Sequence, residues 1–395
     1  MNYPLISEYI ESIKLAEDNF DELNYLRPVL DADGQPVMSS GNFAVVFKMK
    51  DERDGKLYAV KCFTREQEGR AESYKLIADE LEFVSSNYLT PIRYFENELF
   101  VDTKNSDENE FPVLLMDWVE GITLDKYLRE NLDDQYALEI LVYRFSQLAQ
   151  WLIPQPFAHG DLKPDNILVR EDGSLVLVDY DGMYVPAMKG QKARELGSPD
   201  FRHPSRTEDD FDEHIDDFSV VSILLSLKAI SVNSTLLEEY GATDRLLFSE
   251  KDYRALGECE KISKLLVCND LDINRLLGLM LLAYTEGDVS NVSSQLLYVA
   301  KPQKKILLSM KGVEKEETVI QDDTASILQR ILDERDAKFF YNAAIHYFRG
   351  IDMPQDYVEA LKCLNQAEDL GGVEMKERCI QLRNTILAQM ADDNH

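Results

Sequence analysis

Residues 159–168 read HGDLKPDNIL. Within ten positions they hold His159, Asp161, Lys163, Asp165 and Asn166, bounded by patterns of two different periods. Upstream, Leu138, Leu141, Val142, Phe145, Leu148, Ala149 and Leu152 recur at three- and four-residue steps, so 123–153 is expected to be helical. Downstream, NILV (166–169) and LVLVD (175–179), joined by REDGS, predict two short strands and a turn. A polar loop in this setting is either solvated surface or a means of fixing chemically active side chains.

Moving outward, β-branched and aromatic residues cluster in LRPVL (26–30), AVVFKM (44–49) and LYAVKCF (57–63). The turn signals DADG (31–34) and DERDG (51–55) separate them, which predicts antiparallel hairpins. Before them, 7–23 reads as a short, acidic, amphipathic helix. After them come a helix over 70–84 and strands near 92–101 and 112–119, with KNSDENE as a solvated loop between the strands. FSVVSILLSLKAI (218–230) is apolar nearly all round, which marks a helix inside a large core. Residues 260–300 are again helical in pattern. The plan is an N-terminal acidic helix (1–24), a body (25–300), a charge-mixed linker (301–324) and a helical tail (325–391).

At 395 residues the chain has room for two or three domains. Its 42 basic against 73 acidic residues give a net charge of −31. Such a surplus disfavours nucleic acid and the anionic face of a membrane. Any anionic ligand therefore needs local cations, so individual lysines matter. Cys62, Cys259, Cys268, Cys363 and Cys379 form no CxxC pair, which argues against a disulfide framework or a zinc site. No signal-peptide core and no apolar run of the ~18 residues a membrane span needs is present, so the cytoplasm is the expected compartment.

HGDLKPDNIL resembles the catalytic loop of protein kinases, H-R-D-x-x-x-x-N. The resemblance implies that Asp161 accepts the substrate hydroxyl proton, that Lys163 meets the γ-phosphate and that Asn166 binds Mg²⁺. LVLVDYDG (175–182) falls where the family has D-F-G, which makes Asp179 the second metal ligand. Asp181 stands where the glycine belongs; it is expected as a turn residue, with a further metal role as the alternative. SSGNFAVVF (39–47) is similar to an eroded G-x-G-x-x-G-x-V loop retaining Gly41 and Val46, with Ser39 and Ala44 in the other glycine positions. AVK (59–61) matches the strand on which Ala59 borders the nucleotide and Lys61 pairs with its α- and β-phosphates. Glu72 and Glu80 both compete for the helix glutamate that would meet Lys61. VLLMDWVEG (113–121) resembles the hinge, with Met116 as gatekeeper and the backbones of Asp117 and Val119 at adenine.

GSPDFRHP (197–204) is similar to the end of an activation segment, with Ser205 where the family has glutamate. Asp216 matches the buried aspartate that holds the catalytic-loop backbone. Gly160 replaces the arginine before the catalytic aspartate, the non-RD pattern. The segment from Asp179 to Pro204 is short, its hydroxyls being Tyr180, Tyr184 and Ser198, so activity is expected not to depend on its phosphorylation. In the tail, Ala337, Tyr347, Gly350, Asp356, Tyr357, Ala360, Ala367 and Gly371 resemble one tetratricopeptide unit of the Sel-like variety, with 373–391 as a capping helix.

The fold expected is α+β and bilobal: a β-rich N-lobe (25–116), an α-rich C-lobe (117–300) and a small all-α tail. The resemblance, to bacterial-type serine/threonine protein kinases, implies ATP and Mg²⁺ as cofactors and a protein as substrate, with a further partner for the tail. Two alternatives stay open. One is a small-molecule kinase similar to aminoglycoside or choline phosphotransferases, against which Lys163, GSPDFRHP and Asp216 speak. The other is a pseudokinase scaffold, favoured by the eroded glycine loop and the missing glutamate.

Overall fold

The computed structural model describes residues 2–303 except 42, 85, 290, 291 and 293, and, further on, residues 337, 340, 341, 343–345, 347, 348, 355–370 and 373–392. The chain divides into two compact units, Met1–Ile306 and Leu307–His395.

The first unit opens with α1 (Ile6–Lys14) and α2 (Ala16–Asn19). They are two helices rather than the single one expected over 7–23, because Leu15 leaves the helical conformation at φ −110° and ψ 38°. Strands β1 (Leu26–Pro28), β2 (Met38–Ser40), β3 (Ala44–Asp51) and β4 (Leu57–Phe63) follow. After α3 (Arg70–Glu82) come β5 (Ile92–Phe100) and β6 (Glu110–Asp117). These strands form an antiparallel six-stranded sheet in the order β1-β3-β4-β6-β5, with β2 paired to β3.

Strand alternation gives the sheet two chemically different faces. Val45, Phe47, Val60, Cys62, Val113 and Leu115 pack with Tyr9, Ile13 and Phe20 of the N-terminal helices and their exit. Val46 lies opposite Lys61, which lies opposite Leu114, while Lys48, Ala59 and Met116 line up one pair along. These residues share the other face, turned away from α1. The N-terminal helices are thus built into the sheet's core: the Tyr9 hydroxyl donates to the Phe63 carbonyl at 2.7 Å.

The helical half begins with β7 (Ile122–Thr123), α4 (Leu124–Glu130) and α5 (Gln135–Leu152). The helix expected across 123–153 is interrupted because Asp134 caps α5, accepting from the Ala137 amide, so the run restarts there. β8 (Ile167–Val169) pairs with both β7 and β9 (Leu175–Leu177), giving a small three-stranded sheet in the order β7-β8-β9. Helix α6 (Asp217–Val232) is buried on nearly every side and packs against α5 and α10 (Leu271–Glu286). Between them lie α7 (Thr235–Tyr240), α8 (Glu250–Arg254) and α9 (Glu260–Val267). The architecture is α+β, a curled sheet lobe followed by a helical lobe.

In the second unit, helices Tyr357–Leu370 and Val373–Asp392 pack through Ala360, Leu364, Ala367, Cys379 and Ile386, joined by the buried Ala337 and Ala344. Gly350, Gly371 and most of the expected 301–324 linker lie outside the described residues. Among the described residues no helix is long and apolar enough to cross a membrane.

Candidate active site

The loop between α5 and β8 is held from beneath by Asp216, just before α6. Its carboxylate accepts hydrogen bonds from the main-chain amides of His159 and of Gly160, the latter at 3.0 Å. The buried His159 ring donates through Nε2 to the Val178 carbonyl at 2.9 Å, tying the loop to the segment that leads from β9 to Asp179. Gly160 adopts φ 81°, and a Cβ there would overlap the Gly182 carbonyl oxygen, so glycine is required by both backbone and space.

With its backbone fixed, the loop presents Asp161 in a web of donors. Lys163 Nζ reaches Oδ2 at 2.7 Å, the Asn166 amide nitrogen reaches it at 3.1 Å, and the Ser198 amide reaches Oδ1 at 2.7 Å. Asn166 also donates to the Asp161 carbonyl at 2.8 Å, so its amide nitrogen is committed and its oxygen is the atom left to a cation. Burial pushes the Asp161 carboxyl up, but Lys163, His159 and the Ser198 amide outweigh it and hold it below the ordinary range. It is therefore ionised at neutral pH. Beside Lys163 a cavity of about 400 Å³ opens, walled by Asp125, Asp165, Ser198, Asp200 and Arg245 among others.

Across the cleft, Lys61 is buried, and its ammonium lies 2.8 Å from Asp179 and 2.5 Å from Asp181. Burial pulls the Lys61 pKa down, yet the negative groups around it, the Asp179 and Asp181 carboxylates among them, override it, so the net direction is well up. Asp179 has φ 68°, a left-handed backbone rare for a residue with a side chain. Strain of this kind persists only where the surroundings impose it. Burial is the largest single influence and raises the Asp179 carboxyl, but the charge and hydrogen bond of Lys61, with His159 and Asp181, together outweigh it and leave it below its usual value.

Two expectations need correction here. Neither Glu72 nor Glu80 is the partner of Lys61: Glu72 is exposed, and the α3 side chain that reaches this cluster is Tyr74, whose hydroxyl donates to Asp181. Asp181 is not a plain turn residue but part of the ion-pair cluster. Tyr180 is buried with its ring edge-on to His159, centroids 6.0 Å apart, and its hydroxyl donates to the Leu177 carbonyl at 3.1 Å.

At the cleft's roof, Gly41 lies at the exposed β2–β3 turn, its amide donating to the Ala44 carbonyl at 2.9 Å. Val46 and Ala59 share the Lys61 face of the sheet. Asp117 ends β6 with its carboxylate 2.8 Å from Lys56, and Val119 follows, half-buried, in the connection to β7. The fold therefore brings Lys61, Asp179, Asp161, Lys163 and Asn166 to facing sides of one cleft. Arg206 escaped the sequence reading; it is buried and donates to the Gly160 carbonyl at 2.8 Å, and only its arginine identity beside GSPDFRHP could have flagged it. Tyr74 could have been suspected, since Tyr74, Ile77 and Leu81 space one buried face of α3.

Residues 35–241 match the protein kinase domain family. Among similar proteins, a serine/threonine-protein kinase, sgk-1, of Caenorhabditis elegans is 24% identical over 206 residues, covering 50% of this chain and 42% of that kinase. The serine/threonine-protein kinase OXI1 of Arabidopsis thaliana is 27% identical over 164 residues, 37% of this chain and 35% of its own. An Aurora kinase of Yarrowia lipolytica is 25% identical over 187 residues, 46% and 48% of the two chains. The chain spans less than half the length of each of these relatives. With the match extending over the sheet lobe and much of the helical lobe, the chain belongs to the protein kinase domain family.

Proposed function

We propose that the chain transfers the γ-phosphoryl group of ATP, with Mg²⁺, to serine or threonine hydroxyls of a protein. The observation that carries this reading is Asp161, an ionised carboxylate with Oδ2 on Lys163 and Oδ1 on the Ser198 amide. In that position it orients an acceptor hydroxyl and takes its proton, while Lys163 offsets charge on the transferred group. Asn166 and Asp179 supply hard oxygen donors of the kind Mg²⁺ prefers. The nucleotide with its metal provides the activated phosphoryl group. Lys61 holds the α- and β-phosphates, and Gly41, Val46, Ala59 and the backbones of Asp117 and Val119 form the cradle. The kinase domain on this reading spans 25–300, non-RD in type, with the 1–24 helices packed on its sheet.

The tail, as a single tetratricopeptide- or Sel-like unit, would dock a partner. Its small buried residues Ala337, Ala344, Ala360 and Ala367 support close helix approach, and the Asp356 amide donates to the Tyr347 carbonyl at 2.9 Å. A scaffold without turnover is the second reading, favoured by a Lys61 that has no carboxylate from α3 beside it.

Purified protein, labelled ATP, Mg²⁺ and a generic protein acceptor test the proposal, with Asp161→Asn as the control. Phosphoserine or phosphothreonine formed well above the control supports it. Label transferred only to small hydroxyl compounds, or none above the control, overturns it.

A further inference from the structure

We propose that Asp181, anchored by Tyr74, is the positioning residue that holds Lys61 on the nucleotide phosphates, in place of a glutamate from α3. The inference rests on the phosphotransferase reading above.

A buried ammonium needs a fixed countercharge, since an unpaired charge in the interior is strongly unfavourable. Lys61 has two carboxylates within reach, but they are not equivalent. The Asp179 side chain is 46% exposed to the cleft, whereas that of Asp181 is only 15% exposed. Asp179 is also the carboxylate placed to meet a metal ion, and a cation there competes with Lys61 for it. Asp181 is the partner that remains.

Asp181 is moreover immobilised from three sides. Tyr74 donates its hydroxyl hydrogen to the carboxylate that Lys61 also contacts. The Tyr74 ring is itself wedged in the core, stacked on Tyr94 at 5.9 Å and tilted against Phe63 at 5.7 Å. Arg194, from the segment after β9, donates to the Asp181 main-chain carbonyl at 3.2 Å.

The α3 helix cannot supply the charge itself. Its residue at the cluster is a tyrosine, and burial keeps the Tyr74 hydroxyl protonated by raising its pKa. Tyr74 therefore serves as a donor that orients a carboxylate and not as a countercharge. The substitution of Asp181 for glycine and the absence of a helix carboxylate beside Lys61 are then two halves of one arrangement.

The test uses the full chain and measures three things: affinity for a non-hydrolysable ATP analogue with Mg²⁺, steady-state constants for ATP and for the protein acceptor, and thermal unfolding. Asp181→Asn keeps the shape and the acceptor oxygen but removes the charge. It should weaken analogue binding roughly tenfold and lower kcat/KM for ATP about 100-fold, with the acceptor KM and the unfolding temperature nearly unchanged. Tyr74→Phe should produce a smaller loss in the same constants, and Asp181→Glu should recover part of the Asp181→Asn defect. Wild-type behaviour of Asp181→Asn overturns the proposal, as does a loss that appears only as a lower unfolding temperature. Failure of the wild-type chain to bind the analogue at all would instead bring down the underlying functional reading.

Discussion

The Asp161 carboxylate accepts a hydrogen bond from the main-chain N–H of Ser198, 37 residues further along the chain, at 2.7 Å. The segment that follows β9 is thus latched by its backbone to the loop that carries Asp161. Arg206 adds a second tie through the Gly160 carbonyl. No phosphate is needed to make either bond, and of the hydroxyls in the segment Tyr180 and Tyr184 are buried. Phosphatase-treated protein should keep its transfer rate, and Tyr184→Phe and Ser198→Ala should stay within about twofold of wild type, since Ser198 acts through its amide. A large loss on dephosphorylation, restored by ATP, would contradict this.

Gly160 is more than a missing arginine. Its φ of 81° and the Gly182 carbonyl packed against it leave no room for any Cβ. Gly160→Arg, which would restore the common family pattern, should therefore inactivate the protein. Gly160→Ala should cost about 2 kcal/mol or more of stability, combining left-handed strain with overlap. Thermal unfolding beside transfer assays checks this, and a stable, active Gly160→Arg would show that the two glycine backbones can part without harm.

On the proposed function, Asp161→Asn removes the proton acceptor while leaving the nucleotide side of the cleft intact. ATP affinity should hold, and transfer should fall by about 10²- to 10⁴-fold. Lys61→Ala and Asp179→Ala should show the complementary pattern, with weaker Mg²⁺-dependent nucleotide binding as well as lost turnover, because on the same reading each removes a charge that organises the phosphates. Calorimetric titration with Mg²⁺ and an ATP analogue separates the two classes. An inactive Asp181→Ala beside an active Asp179→Ala would move the metal register by two residues.

Much of this site could be read along the chain because its parts are local. The HGDLKPDNIL loop holds Asp161, Lys163 and Asn166 within six positions, and strand alternation alone puts Val46, Ala59 and Lys61 on one face. The partner of Lys61 was not legible, because the pairing spans 120 residues to Asp181 and depends on which face α3 turns inward. The spacing of Tyr74, Ile77 and Leu81 marks the inward face of α3, but it does not say which groups across the cleft that face meets. The interruptions at Leu15 and before Asp134 were missed for a related reason: the apolar repeat continues through them while capping and backbone geometry end the helix.

Asp217 sits at the start of α6, buried, accepting from the Val289 amide at 2.8 Å. His214 faces it at 3.6 Å, and Asp216 and Asp288 add negative charge nearby. Burial is the largest influence, and it pushes the Asp217 carboxyl up to about 7. The folded chain therefore keeps a proton that the unfolded chain releases near pH 4, so between about pH 4 and 7 folding takes up a proton and stability falls as pH rises. Below that window both states are protonated, and above it neither is. The Asp217 contribution to this fall is at most about 4 kcal/mol. Asp217→Asn can still accept from Val289 through its amide oxygen but does not titrate. Urea unfolding at pH 5 and pH 8 should show a large drop for wild type and a smaller one for Asp217→Asn, the remainder coming in part from Asp216, whose carboxyl burial also raises. Equal drops in the two proteins would mean that Asp217 is ionised throughout.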